Sequence, residues 1–567
     1  MPTSRLSPER RTAALEAMAA GPLDVLVIGG GVVGAGTALD AASRGLTVGL
    51  VEMRDWASGT SSASSKLIHG GLRYLEMLDF RLVREALSER DLLLDRLAPH
   101  LVKRLPFLYP LHGHTWERAY VGAGLLLYDG LAAAPGHRRV LPAHRHLSRR
   151  TVGRLAPALD LSTVTGAVQY YDAQVDDARF VLTLVRTAAA YGTLAANRAR
   201  AVDLVRDGGR VVGAVIEDDE TGVRRTVRAK VVVAAAGVWT EDVLRLAGAG
   251  PAQGPSLHVR ASKGIPLVVP RDRIRSSTGI ITKTATSVLF VIPWGRHWIL
   301  GTTDTPWDLE LKRPPASARD IAYLLDAVNA HLTSPLTPAD VEGCYAGLRP
   351  LLYAEGRHTT DLSREHAVIS PAPGLVVVAG GKYTTYRVMA RDAVDAATAA
   401  IGGLLPGSVT ERLPLLGADG YAARWNQRHL LARQAGLHVA QVEHLLNRYG
   451  SAADEVLELM AERPELSEPV PGAEDYLAAE LVYGVSHEGA GHLTDLLSRR
   501  TRIVFETFDR GLAAAAYAAS QVAGLLGWDA AEVDAQVATY RRRIAAQRAS
   551  ETSADDATAV AALGTES

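Results

Sequence analysis

Cysteine is almost missing from this chain: Cys344 is the only one among 567 residues. A single thiol excludes an intrachain disulfide and any zinc site built on cysteines, and a chain without disulfides suits a reducing compartment. Long apolar runs are missing as well. Nowhere do eighteen apolar residues follow one another, so no membrane-spanning helix is expected. The opening MPTSRLSPERR is polar and basic, with no apolar core of a secretory signal, which makes the cytoplasm the expected location. Neither sign of charge is in surplus: 61 Lys and Arg face 62 Asp and Glu, a net charge of −1. That balance argues against a general nucleic-acid binder. No internal repeat is visible. What is present is length for two to four domains and 47% hydrophobic residues, enough for sizeable cores.

The most informative stretch is 24–52, DVLVIGGGVVGAGTALDAASRGLTVGLVE. Residues 25–28 are β-branched and apolar, as a buried parallel strand requires. The run stops at Gly29-x-Gly31-x-x-Gly34, where the glycines allow a tight turn, close approach of a pyrophosphate and helix–strand packing. Ala35, Ala38, Leu39 and Ala42 then recur at helical spacing, and Gly45 stands where a helix-ending glycine belongs. A second strand over 46–51 ends in Glu52, about twenty residues past the glycines, where a carboxylate accepts ribose hydroxyls and repels a 2′-phosphate. A bare GxGxxG is a weak signal. With strand, helix and acid in place it specifies a dinucleotide fold.

The next block, WASGTSSASSKLIHGGLRYL (56–75), leaves the second strand at the edge where open α/β sheets bind ligands. Ser61, Ser62 and Lys66 bring polar groups there, Gly70 and Gly71 allow close backbone approach, and His69, Arg73 and Tyr74 add further donors. Singly each would be surface decoration; as one block after the fingerprint they are not.

These blocks resemble the flavin-dependent glycerol-3-phosphate dehydrogenases, within the FAD oxidoreductases similar to D-amino-acid oxidase. The likeness continues through YYDAQVDDAR (170–179), VIPWGRHWILGTTDT (291–305), GLRP (347–350), GGKYTTYR (380–387) and DLLSRRTRIVF (495–505), and covers roughly 22–525. It implies bound FAD and oxidation of sn-glycerol 3-phosphate to dihydroxyacetone phosphate by hydride transfer, with electrons passed to a quinone. It also implies peripheral attachment to the inner face of the cell membrane; a homodimer stays open. An oxygen-using glycerol-3-phosphate oxidase, a related FAD hydroxy-acid or amine oxidoreductase, and a non-catalytic binding protein are the rival readings. Converging cations at Arg73, Arg349 and Lys382 disfavour the last. The expected fold class is α/β: a Rossmann-like FAD-binding domain, an antiparallel-sheet substrate domain and an all-α C-terminal domain.

Along the chain, 7–9 (Ser-Pro-Glu) opens a short helix ending at Gly21. Residues 101–154 look irregular. Six arginines and three histidines fall in 137–154 without one acid, just after the apolar run 125–128. A solvated loop beside a buried helix and a dock for an anionic membrane, worth ~1 kcal/mol per Lys or Arg, fit this pattern about equally; the resemblance favours the membrane. Asp176 and Asp177 begin a helix to about 190 and have a structural role. Strands follow at about 194–205, 210–217 and 223–234, then a flavin-side turn at Gly237. There Ala236 stands where the family has Thr, so only backbone contact is expected.

Alternating runs between 255 and 350 give the antiparallel substrate sheet. Lys263 in its Lys-Gly turn is a substrate candidate, and Pro266 stands where the family often has His, so no catalytic histidine is placed there. Arg349 offers a guanidinium fork to phosphate or to the C2 oxygen. The strand 375–379, Gly380-Gly381-Lys382 and a helix to 400 repeat the opening logic, with a helix N-terminus and Lys382 beside the flavin. FAD-binding parts are thus expected at about 22–100, 165–255 and 355–400 and substrate parts at 101–164 and 256–354, together the 22–400 region. A linker at 402–416 precedes a helical domain (417–548) with helices at 421–435, 439–449, 452–460, 473–486, 493–504, 520–526 and 530–547. Its Arg499, Arg500 and Arg502 form a solvated face, a contact to the main domain or part of a membrane patch. The tail, 549–567, is expected to be disordered.

The assigned roles are therefore these. Gly29, Gly31, Gly34, Glu52, Ser61, Ser62, Lys66, Gly71, Gly237, Gly381 and Lys382 hold FAD. Arg73, Tyr74, Lys263 and Arg349 contact the substrate. Arg349, Lys382 and His69 serve catalysis, with His69 either the base or only a flavin neighbour. No metal is expected.

Overall fold

The computed structural model describes residues 3–71, 79–113, 115–132, 139–248, 257–283, 288–352 and 365–564. Leu23–Ile28 lies in the middle of the main sheet, with Val48–Val51 parallel on one side and Arg224–Ala234 parallel on the other. Both faces of such a strand are covered, hence its unbroken apolar run. Val25 and Val27 face one core, with Ala38, Val181 and Val394; Leu26 and Ile28 face the other, with Met18, Ile216 and Val377. The first core lies under the helices Val32–Ser43, Asp177–Ala190 and Tyr386–Ile401. The second is closed by Pro8–Ala20 and by the hairpin of Ala199–Asp207 and Arg210–Asp218. In space the strands run His366–Ala372, Leu375–Gly380, Arg224–Ala234, Leu23–Ile28, Val48–Val51 and Leu194–Ala196.

A second sheet of nine strands stands over the first sheet's carboxyl edge. It is antiparallel apart from the neighbours Lys103–Leu111 and Gly279–Lys283, which run parallel. The segment 101–154 is not irregular: it forms the strand Lys103–Leu111, the helix Thr115–Ala132, the strand Arg145–Ser148 and the helix Arg149–Leu155. Pro106 and Pro110 hid the strand, since proline removes a ladder donor and argues against a central position. A third, three-stranded sheet has Val259–Gly264 in the middle, with Thr305–Trp307 and Gly347–Leu352 antiparallel on its two edges.

The C-terminal domain is mostly helical, around cores that include Leu445, Leu446, Val456 and Tyr483, and Leu496, Ile503, Ala518 and Tyr540. Several expectations need correction. The 520–526 helix starts already at Leu512, and 421–435 is two helices, Tyr421–Asn426 and Arg428–Ala435. Ala473–Leu477 is a strand paired with Pro469–Val470, and the helix starts only at Ala478. The 493–504 helix is broken: a π-helical turn at Leu496–Arg500 precedes the short helix Ile503–Glu506, which turns Arg499, Arg500 and Arg502 towards the main domain. The tail continues as helix, Ala530–Glu551 and then Asp556–Leu563, because tertiary contacts described below hold an otherwise weakly apolar sequence.

Candidate active site

One cavity of about 1150 Å³ runs between the main sheet and the substrate sheet. At one end is the opening turn. Gly29 has φ +113°, and a side chain there would stand 2.5 Å from the Ala235 carbonyl oxygen. At Gly34 a Cβ would stand 1.8 Å from the Gly29 oxygen, so this glycine permits the helix to sit on the strand and does not line the cavity. Gly31 precedes the helix Val32–Ser43, whose first N–H, on Val32, donates to Ser61 Oγ at 3.0 Å. The Glu52 carboxylate accepts the Gly30 N–H at 2.7 Å and the Arg54 N–H at 2.9 Å, and burial raises its pKa. Backbone at left-handed φ, an open helix N-terminus and a buried acid at the second strand's end fit the adenosine half of a dinucleotide.

The serine-rich loop forms the next wall through Ser58, Thr60, Ser61, Ser64 and Ser65. Ser62 and Lys66, expected on this wall, do not reach it. Lys66 is 2% exposed and donates from Nζ to Asp177 at 2.7 Å and to the Ser62 carbonyl at 3.3 Å. Burial and the nearby charge of Arg502 push the ammonium below its ordinary pKa. The reason is Asp177, a buried carboxylate at a helix N-terminus that also takes the Ser64 N–H, the Ser64 hydroxyl and Arg502. A buried carboxylate requires such partners. Lys66 therefore holds the loop from beneath.

His69, Gly71, Gly237, Gly381 and Lys382 all line the cavity, as does Arg349. Gly71, Gly237 and Gly381 have φ between +57° and +79°, and at Gly381 a Cβ would stand 2.4 Å from Met389 Sδ. The His69 N–H donates to Thr384 Oγ1 at 3.2 Å, and that hydroxyl donates to the His69 carbonyl at 3.3 Å. One threonine thus joins the histidine block to the Gly-Gly-Lys turn. Arg73 and Tyr74 lie outside the described residues.

Arg349 donates from Nη1 to Asp304 at 3.2 Å, and from Nη2 to the Thr302 hydroxyl and the Thr303 carbonyl. The loop carrying Thr60 is tied to the same strand by a hydrogen bond from its hydroxyl to the Leu348 carbonyl. Lys263 does not join this group. Successive side chains of a strand point to opposite faces; Ser262 and Gly264 face Arg349, and Lys263 faces away. Its Nζ is 0% exposed, donates to Asp320 at 2.7 Å and to Asp556, and stands 5.1 Å from the Trp307 ring. Lys263 is a structural cation behind the sheet.

The sequence reading overlooked two groups. Asp304 and Thr302 lie in the GTTDT stretch that carried the resemblance, and a lone acid between threonines at a strand end was the available signal. The second is a buried relay. The Gly70 N–H donates to Tyr128 Oη at 2.9 Å, Tyr128 donates to Asp172 at 2.7 Å, and Arg90 donates to the same Asp172 oxygen at 2.8 Å. Asp172 lines the cavity and burial raises its pKa. No local pattern joins residues 70, 90, 128 and 172.

A family model described as FAD dependent oxidoreductase matches residues 24–396, and one for the C-terminal domain of alpha-glycerophosphate oxidase matches 408–533. The glycerol-3-phosphate dehydrogenase of Mycobacterium leprae is 52% identical over 558 residues, covering 98% of this chain and 94% of that protein. Glycerol-3-phosphate dehydrogenase 2 of Mycobacterium tuberculosis matches with the same identity and coverage. Among solved structures, the glycerol-3-phosphate dehydrogenase of Bacillus halodurans complexed with FAD is similar at a TM-score of 0.77 and 29% identity, over 94% of this chain and 97% of that one. The glycine cradle, Glu52 and the second glycine–lysine turn could hold such a cofactor, and the chain belongs to the FAD-dependent glycerol-3-phosphate dehydrogenases.

Proposed function

We propose that this enzyme oxidises sn-glycerol 3-phosphate at C2 and delivers the electrons to a membrane quinone, working as a peripheral protein on the inner face of the cell membrane. The observation that supports the acceptor and the location is the helix Thr115–Ala132. Its outward face carries Trp116, Ala119, Tyr120, Ala123, Leu126 and Leu127, all exposed, with Trp116 at 64% and Leu126 at 66%. Tyr120, Ala123 and Leu127 also line the cavity, so the apolar face borders the site's mouth. The strand Arg145–Ser148 packs beside it, with the His146 ring against Gly122, and Arg145, Arg149, Arg150 and Arg154 are exposed there. An apolar stripe flanked by cations suits an anionic lipid surface. No helix among the described residues is long and apolar enough to cross a membrane.

FAD supplies the two-electron acceptor for the C2 hydride. Arg349 binds an anionic oxygen of the substrate, with Asp304 and Thr302 fixing its fork. His69 takes the proton of the C2 hydroxyl on a ring nitrogen as the C2–H bond breaks and the C2=O bond forms, giving dihydroxyacetone phosphate. Lys382 at the cavity wall, with the N-terminus of Tyr386–Ile401 beyond it, would offer positive charge to a bound flavin, whose reduction adds negative charge. The quinone then takes two electrons and two protons to become the quinol.

Purified protein mixed anaerobically with sn-glycerol 3-phosphate should bleach its flavin absorbance, and a short-chain quinone should restore it at a catalytically competent rate. Stoichiometric peroxide in air with negligible quinone reduction would make it an oxidase instead.

A further inference from the structure

The last helix, Asp556–Leu563, packs against the small three-stranded sheet on the face opposite Arg349. Its first residue, Asp556, accepts a hydrogen bond from Lys263, the buried ammonium of the middle strand. One turn later Val560 packs on the apolar cluster of Val238, Trp307 and Leu348, beside Trp239. The middle strand, Val259–Gly264, stands between two strands that carry the substrate-side residues. Asp304 immediately precedes Thr305–Trp307, and Arg349 lies in Gly347–Leu352. Ser262 is the register partner of Arg349, and its hydroxyl donates to Asp304, which in turn takes the guanidinium. The middle strand therefore sets the spacing of carboxylate and guanidinium on one face, while the tail helix braces it on the other through Lys263.

We propose that Asp556 is a positioning residue for Arg349: by holding Lys263 the tail helix keeps the Asp304–Arg349 pair in the arrangement that receives the substrate's anionic oxygen. This rests on the assignment of Arg349 to substrate binding made above. Buried Lys263 with Asp320 alone moves to improve its pairing, and the strand moves with it, since an ammonium in a closed interior demands carboxylate contact. Asp556 itself does not line the cavity, and its bond to Lys263 reaches Arg349 through that strand.

The test uses flavin-loaded full-length enzyme, Asp556→Asn, Asp556→Glu and a chain stopped after Ser553, assayed with sn-glycerol 3-phosphate. Asp556→Asn and the shortened chain should raise KM roughly ten-fold, less than the hundred-fold that a full ångström of misplacement costs. Flavin content and kcat should stay within about two-fold of the parent in both, and Asp556→Glu should recover most of the KM. In an Arg349→Ala background neither change should raise KM further, because no guanidinium remains to be positioned. Unchanged KM in both tail variants, or an equal rise in the Arg349→Ala background, would overturn the proposal. If Arg349→Ala itself leaves kcat/KM intact, the substrate assignment fails and not the link from tail to strand, which the distance between β-strand probes would still report.

Discussion

At the seam between the oxidoreductase region and the helical domain, Asp55 accepts hydrogen bonds from Arg499 at 2.5 Å and from both Nη atoms of Arg500 at 2.6 and 2.7 Å. Beside it Arg502 donates to Asp176 and Asp177, and Arg179 donates to Glu488 and to the Arg500 carbonyl at 2.6 Å. At the cavity wall Arg349 meets Asp304, a threonine hydroxyl and a carbonyl. The seam matches cations with carboxylates and so becomes a fixed joint. The wall sets its guanidinium beside one carboxylate, a hydroxyl and a carbonyl at the edge of the cavity. Lys66 and Lys263 were expected at the wall and belong with the seam in kind: both are buried against carboxylates supplied from far along the chain.

The largest effect should come from breaking the joint. Arg500→Ala leaves Asp55 buried with fewer partners, which should cost about 3–5 kcal/mol, read as a lower urea midpoint of the holoenzyme. Surviving folded enzyme should keep its kcat/KM. Arg349→Ala should do the reverse: a loss of about 2–5 kcal/mol in transition-state binding, or roughly 30- to several-thousand-fold in kcat/KM, with the midpoint nearly unchanged. If the loss is confined to sn-glycerol 3-phosphate and spares glycerol, Arg349 reads phosphate; a similar loss on both places it at the C2 oxygen.

A smaller effect is expected from acid. Burial by itself would raise the Glu480 carboxyl, but His444 and Arg448 outweigh it and hold it at about 2, against an ordinary 4.5. A carboxyl depressed in the folded state stabilises above its unfolded pKa, and that share disappears as pH falls from about 4.5 towards 2. Unfolding midpoints of Glu480→Gln should therefore fall less steeply than wild type across that window, by up to about one proton's worth of slope. Parallel curves would show that the Glu480 pair adds nothing to the acid response. The smallest change should follow Arg149→Ser, which removes one exposed cation near the lipid surface and should weaken binding to anionic vesicles by about 1 kcal/mol. High salt should erase that difference; binding that persists in salt and differs little between the two proteins would leave the apolar face of Thr115–Ala132 as the main anchor.

The opening strand, turn and helix were legible in the sequence because each signal there is local: an apolar run, three glycines and an acid at fixed offsets. The second glycine–lysine turn was legible for the same reason. The directions of Lys66 and Lys263 were not, because the carboxylates that decide them, Asp177, Asp320 and Asp556, stand 57 to 293 residues away. Residues 473–477 read as helix because one apolar pattern continues into Ala478–Ser486, and only pairing with Pro469–Val470 extends them. The tail's Ala, Asp and Thr composition looks disordered by itself; burial of Ala559 and Leu563 and the bond to Lys263 order it.

The hydroxyl of Thr384 that clasps the His69 backbone reaches across 315 residues, and it also has a bearing on the order in which the protein matures. During synthesis the first glycine turn leaves the ribosome early, but Arg224–Ala234 and Leu375–Gly380, its neighbours in the sheet, follow only much later. Long-range parallel pairing is slow, and its exposed edges are prone to aggregate while they wait. The nascent chain thus has no finished flavin cradle until about two thirds of it has been translated. A flavin-starved cell should therefore accumulate this protein chiefly as full-length chains awaiting cofactor, not as stalled early fragments.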